Sequence, residues 1–519
     1  MAISIQRLQR LFSKCLHTLG LKVRLRGSDK MDPIGTITCY FPHIEEDTKN
    51  VLETIMGEAS DYYDFVHRLG EFVLEDERPV MVVYFAIHHA ILALNYKLID
   101  KIREKYSHHL VLGPNLFISS AFTGTVEDLK KVHELADAVL ATDPPDWLVL
   151  EMTFMKFEAD MRNYPATIYQ DEVMNTILRM IEENPDFGYY DACLYDYLAI
   201  RAHADGDSEE RMRCVNKAIR ASEKFDEQVR VAHMLIRKAG ILMSSDPEEA
   251  RAILQRAYKI VETSLAIPSN YADIIFNLAI NDSIRGDFDN AIKRLLDVVS
   301  LRERAGLNFG NAAHFLSMIY NVIGDYESGL EWGCMAEDQF KSRSYLINRA
   351  VLDQIWSLIL LKRLTEAQVL IDATRESVLK SGDESHLAWF HFVTGLMDAE
   401  QGDFSAAASS IEQGLRIYEQ MGTALVTELI FLHELARIEV SSCTSEEMVS
   451  PSLAILEDKA VSGNLTGYLG QVLVLKGEFA IMTGDEALLR EVTEQLQAIS
   501  EKEDLPYLKP HFERLLRNL

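Results

Sequence analysis

Two stretches of the chain begin like a zinc-binding helix: His133-Glu134 and His433-Glu434 open a His-Glu-x-x-His pattern. There, two imidazoles one turn apart would grip a metal and the glutamate would act as general base. The residues four on are Asp137 and Arg437, so neither stretch supplies the second imidazole. His88-His89 and His108-His109, with His43 and His67, form the other suggestive group. Adjacent residues on a helix point in different directions, so such pairs seldom chelate one ion and read more simply as packed or helix-end histidines. Glu45-Glu46, Glu182-Glu183 and Glu248-Glu249 place acids side by side. Hydrolysis by paired carboxylates needs them to face each other across a cleft, and these read as solvated faces or first-turn partners of the helix dipole. The sequence contains no Gly-x-x-x-x-Gly-Lys-Ser/Thr, Gly-x-Gly-x-x-Gly or Gly-x-Ser-x-Gly, hence no phosphate cradle, dinucleotide turn or nucleophile elbow. The expectation is a non-enzyme, with no catalytic residue, metal ligand or cofactor.

The elements that would position any site are marked by a recurring junction. It is clearest as Arg285-Gly286-Asp287-Phe288-Asp289-Asn290-Ala291, Ile323-Gly324-Asp325-Tyr326-Glu327-Ser328-Gly329 and Gln401-Gly402-Asp403-Phe404-Ser405-Ala406-Ala407. Weaker copies put the glycine-equivalent positions at 206, 245, 286, 324, 362, 402, 443 and 484, in steps of 39, 41, 38, 38, 40, 41 and 41. Glycine ends a helix in a left-handed cap, and the following Asp caps the next helix, so one dipeptide closes one helix and opens another. Small residues follow five positions on (Ala250, Ala291, Gly329, Ala367, Ala407), where two antiparallel helices must approach closely. The aromatics Phe288, Tyr326 and Phe404 are placed to wedge into the neighbouring hairpin. No single hairpin buries such faces alone, so the units must stack.

The Gly-x-aromatic-x-x-Ala heart of this junction resembles the tetratricopeptide family. The period departs from that family's unit of about 34 residues and is similar to the longer hairpins of sensor domains in signal-transduction ATPases and transcription activators. The resemblance implies an all-α, right-handed superhelical solenoid of antiparallel hairpins. It also implies that the first helix of each hairpin lines a concave, partner-binding surface. Counting by the family's spacing puts Asp273, Phe276, Asn311, His314, Arg349, Trp356, Trp389 and Phe392 there. Aromatic rings with Asn and Arg groups could hold a peptide backbone or carboxylate; alternatively, Trp356 and Trp389 belong to the core between hairpins. The Lys/Arg-rich clamp by which chaperone-binding members hold acidic tails is lacking.

Residues 1–30 hold seven Lys/Arg against the single acid Asp29, whereas the whole chain of 519 residues carries a formal charge of −28. They fit a basic amphipathic helix over Ile5 to Leu19, a targeting segment, or an extension upstream of a start at Met31. The acidic remainder repels phosphate backbones, so the expected partner is a neutral or basic protein or peptide and not nucleic acid. Residues 31–125 read as a mainly helical N-terminal domain with a short strand or extended arm over Ile34 to Phe41; 126–504 as the repeat array; and 505–519 as a C-terminal capping helix. Val80 to Leu94 is the longest apolar run and is too short for a membrane span. Six scattered cysteines without a CxxC pair suit a reducing compartment, hence a cytoplasmic location. Three functions fit: a protein- or peptide-binding scaffold; a ligand-sensing regulator with the N-terminal domain as output; or an enzyme with its site in 34–125, a weaker fit.

Overall fold

The computed structural model describes residues 54–55, 58–59, 62–78, 82–83, 86–87, 90, 95–106, 126–142, 146–162, 171–183, 189–204, 207–224, 228–243, 245–264, 268–304, 308–340, 344–421, 425–442, 450–503 and 505–519. The basic segment 1–30, the strand-like Ile34 to Phe41, the break at 107–125 and the junction copies at 206 and 443 lie outside them. The described residues are all-α and contain no strand. They divide into two compact units. One draws on Met1–Ile241, Ala252–Ile274 and Leu301–Leu307, the other on Leu242–Arg251, Ile275–Ser300 and Asn308–Leu519.

The first unit holds α1 (Tyr62–Glu75), α2 (Tyr96–Tyr106), α3 (Val126–Leu140), α4 (Asp146–Arg162), α5 (Asp171–Glu183), α6 (Tyr189–Ala204), α7 (Ser208–Lys224) and most of α8 (Gln228–Leu242). The end of α2 caps the end of α1. Tyr106 Oη donates to the carbonyl of Val73 at 2.9 Å, and Lys105 Nζ to that of Leu74 at 2.9 Å. A cation among the terminal carbonyls also answers the helix dipole. Between α3 and α4 the core is Val132, Ala136, Val139, Met152, Met155 and Ala159. Phe154 and Phe157 of α4 meet Tyr197 of α6 over Ile177 and Ile181 of α5.

Both units share α9 (Pro247–Ser264), α10 (Pro268–Arg285) and α11 (Phe288–Arg304). The second unit continues through α12 (Gly310–Ile323), α13 (Tyr326–Phe340), α14 (Ser344–Leu360), α15 (Leu364–Ser381), α16 (Glu384–Glu400), α17 (Phe404–Met421), α18 (Leu425–Ser442), α19 (Pro451–Ser462), α20 (Thr466–Thr483), α21 (Glu486–Glu503) and α22 (Lys509–Leu516). The junctions do what their chemistry requires. Gly286, Gly324, Gly402 and Gly484 take φ of 78°, 91°, 88° and 75°, a region costly for other L-residues. At the fifth junction Lys362 adopts φ 60° in the glycine's place. Asp246, Asp325, Asp403 and Asp485 each accept a backbone N–H three residues on, at 2.9, 3.2, 3.0 and 2.9 Å. Ala250, Ala291, Ala367 and Ala407 are fully buried, as close helix approach demands.

Successive hairpins of the second unit meet through their first helices. Thus α12 packs on α14, α14 on α16, α16 on α18 and α18 on α20, while α13, α15, α17, α19 and α21 show no comparable mutual contact. A layer in which only first helices touch is the inner layer of a curved stack, so the all-α solenoid follows from the contacts themselves. At its end, Leu508 and Leu515 seat against Gly470 and Gly477 of α20, where a Cβ would come within 2.5 and 2.6 Å of their methyls. Phe288 is buried as a wedge should be, but against residues much later in the chain. Phe404 remains 37% exposed, so its ring is only partly inserted. No described helix is long and apolar enough to cross a membrane.

Candidate partner-binding site

A chain of side-chain contacts runs along the inner layer of the second unit. On α10, Phe276 meets Phe315 of α12 edge-on, with ring centres 5.5 Å apart, and Phe315 lies 5.2 Å from the imidazole of His314. Buried His314 bonds through Nδ1 to Oδ2 of Asp353 on α14, which is fully enclosed. A carboxylate only accepts, so Nδ1 carries the hydrogen. One turn before Asp353, the half-buried Arg349 donates from Nη1 to Ser385 Oγ on α16 at 3.0 Å and lies over the Trp389 ring at 5.1 Å. Ser385 in turn is 2.9 Å from Tyr418 Oη of α17.

Beneath this row sits an aromatic cluster. Trp356, Trp389, Phe392 and Phe431, from α14, α16 and α18, are fully buried; Phe392 stacks on Phe431 at 4.4 Å, and Trp356 and Trp389 are 5.7 Å apart. Their enclosure has a simple cause: each sits where a first helix faces the next first helix. The indole Nε1 atoms of both tryptophans find no hydrogen-bond partner among the described residues.

The spacing-derived residues therefore separate by exposure. Asn311 is exposed, Phe276 and Arg349 are half-buried, and His314, Trp356, Trp389 and Phe392 are interior. Asp273 belongs to the first unit, where it pairs with Arg302 at 2.9 Å. Sequence reasoning did not single out Asp353, Ser385, Phe315 or Tyr418. Asp353 carried a signal, as the lone charged residue in the mainly apolar stretch Ala350-Val351-Leu352-Asp353-Gln354-Ile355-Trp356.

Burial governs the ionisation of this row. Loss of hydration pushes the His314 imidazole below its ordinary value; Asp353 pulls it back up and Arg349 pushes it further down. His386 on α16 is lowered the same way, by burial first, with Asp383 opposing and Arg349 assisting. At the other end of the inner layer, burial alone would raise the Glu434 carboxyl, but Arg437 and His433 override it and hold it at about 2.

Among the described residues, no cluster of three or more His, Cys, Asp or Glu is arranged to hold a metal ion. His133 instead bonds Asp160 at 2.9 Å, and His67 lies 3.4 Å from Glu71. His43, His88, His89, His108 and His109 lie outside the described residues.

No family model matches the sequence, and no curated protein matches it. Among solved structures, a Rap protein complexed with competence and sporulation factor is similar over 64% of this chain and 98% of its own, at 13% identity and a TM-score of 0.44. A signal-transduction ATPase with numerous domains and a tetratricopeptide repeat sensor, from Pyrococcus horikoshii, matches over 82% of this chain; 65% of that protein is covered, at 15% identity and a TM-score of 0.41. Yeast Tom70 matches over 88% of this chain and 96% of its own, at 12% identity and a TM-score of 0.32. Superpositions this loose leave the tetratricopeptide-like architecture resting on the chain's own junctions and hairpins.

Proposed function

We propose that the chain is a non-enzymatic scaffold that captures a protein or peptide on the first-helix layer of its second unit. The observation that supports this most directly is the row Phe276, Asn311 and Arg349: three accessible groups on successive first helices, backed by a rigid aromatic cluster. An aromatic edge, an amide and a guanidinium suit a polypeptide, which offers carbonyls, amides and apolar side chains at regular intervals. The formal charge of −28 favours a neutral or basic partner. The buried Trp356, Trp389 and Phe392 act here as backing that fixes Arg349, and not as contact residues.

Affinity capture with mass spectrometry, comparing the native chain with Arg349→Ala and Asn311→Ala, tests the reading. Both variants should remain cooperatively folded at the capture temperature, Arg349→Ala with the modest stability loss expected of its lost contacts, and lose the partners that the native chain retains. An unchanged partner set from natively folded variants would refute it.

A further inference from the structure

The junction between α10 and α11 meets the start of α20, at the far end of the second unit. A Cβ built on Gly286 would lie 2.4 Å from Gly467 Cα, and one built on Gly467 would lie 2.3 Å from the Gly286 carbonyl oxygen. The two backbones touch only because neither residue has a side chain. Aromatic rings bracket the contact: Phe288 lies 5.8 Å from Tyr468 and 5.1 Å from Tyr507, both edge-on, and Tyr507 Oη donates to the Gly467 carbonyl at 3.1 Å. Behind it, Phe315 and Val322 of α12 face Val426 and Ile430 of α18 across one narrow apolar space, together with Phe288 and Tyr468.

We propose that Gly286 and Gly467 form a latch that closes the second unit on itself, and that opening it uncovers the apolar faces of α12 and α18 to solvent. The rest of the unit is joined by continuous helix-on-helix contact, whereas the closure is one backbone touch, two ring pairs, one hydrogen bond and the facing apolar side chains of α12 and α18. It has no helix-on-helix packing like that of its neighbours, and is the place where we expect the ring to part. Tyr468 Oη is buried with no hydrogen-bond partner among the described residues, so solvent entering on opening gives that hydroxyl the partner it lacks in the closed form.

Gly467→Ala in the full chain is the direct test. Alanine favours the helix in which residue 467 sits, so loss of α20 is not the expected cost, while its methyl occupies the space of the Gly286 carbonyl. Small-angle scattering should give a larger radius of gyration than native, with unchanged helical circular dichroism and unchanged emission from the chain's four tryptophans, the buried Trp356 and Trp389 among them. The dye 1-anilinonaphthalene-8-sulfonate, used below saturation, should bind more. If about a tenth of native molecules are open, the gain approaches about tenfold. Unchanged scattering and dye binding at native dichroism would overturn the latch. Dye binding that rises together with altered tryptophan emission would overturn it too, since that is general loosening. Should Gly467→Ala lose helix, Tyr507→Leu decides by the same readouts, because it removes the ring pair and the hydrogen bond without crowding α20. None of these measurements uses a partner, so the latch and the Arg349 capture result stand or fall separately.

Discussion

Arg349 lies with its guanidinium 5.1 Å from the centre of the Trp389 ring while donating to Ser385 across the α14–α16 interface. The cation is thus fixed by a neighbouring hairpin and not by its own. A half-buried cation on an indole contributes about 1 kcal/mol, so Arg349→Ala should lower stability by about that amount in chemical denaturation. Arg349→Lys should recover little, since an ammonium lacks the planar fork that spans both the ring and the hydroxyl. Equal stability in all three proteins would mean the contact is idle.

The depressed His314 and His386 make stability fall with acid. The unfolded imidazoles protonate near pH 6.5, while the buried ones resist until lower pH. Below that value the unfolded chain binds more protons, so the stability is complete above about pH 6.5 and is lost as pH falls toward the folded pKa values. Glu434 acts in a lower window: held at about 2 when folded, it stabilises above the usual carboxylate range and loses that contribution as pH drops toward about 2. Melting temperatures from pH 7 to pH 3 should decline in two stages. His314→Gln should flatten the upper stage, and Glu434→Gln the lower one.

Lys362 sits at φ 60°, where its four counterparts are glycine. A left-handed conformation costs a residue with a Cβ about 1–2 kcal/mol, and glycine gives back part of that gain through its freer unfolded chain. Lys362→Gly should therefore raise stability by up to about 1 kcal/mol, despite losing the exposed pairing with Glu400. Lys362→Val should do the reverse, and differential scanning calorimetry would separate the two.

Cys334 is exposed and Cys214 is buried, its thiol pushed up to about 12 by burial and by its bond to Glu210. Alkylation reacts through the thiolate. Iodoacetamide at neutral pH, followed by peptide mass mapping, should modify Cys334 before Cys214 and leave Cys214 intact until the chain is denatured. Early modification of Cys214 would show that α7 opens readily.

Much of this fold was legible because its chemistry is local. A helix stop needs glycine at one residue and a cap at the next, and both recur at a countable interval. The count even located Lys362, whose residue type hides the stop that its backbone makes. The closure onto Gly467 was not legible in that way, because it depends on small rotations accumulated over several hairpins, to which no short motif corresponds. One local clue existed: α20 carries Gly467 in its first turn and Gly470 and Gly477 farther along, a composition unfavourable to an isolated helix and intelligible if other chain segments come very close. The binding row was half-legible. Spacing found which helices contribute, but Asn311 and Trp389 occupy equivalent positions, one exposed and one enclosed among rings of the neighbouring first helices, a difference the spacing does not carry.

The meeting of Gly286 with Gly467 also bears on how the second unit folds. In an open array each repeat senses only its neighbours, and trimming the last one is a local event. Here an early junction of the unit is seated on its final helices, so cooperativity should run around the unit instead of along it. Shortening the carboxyl end would be felt at α10 and α11, and the unit should fold and unfold as a single body.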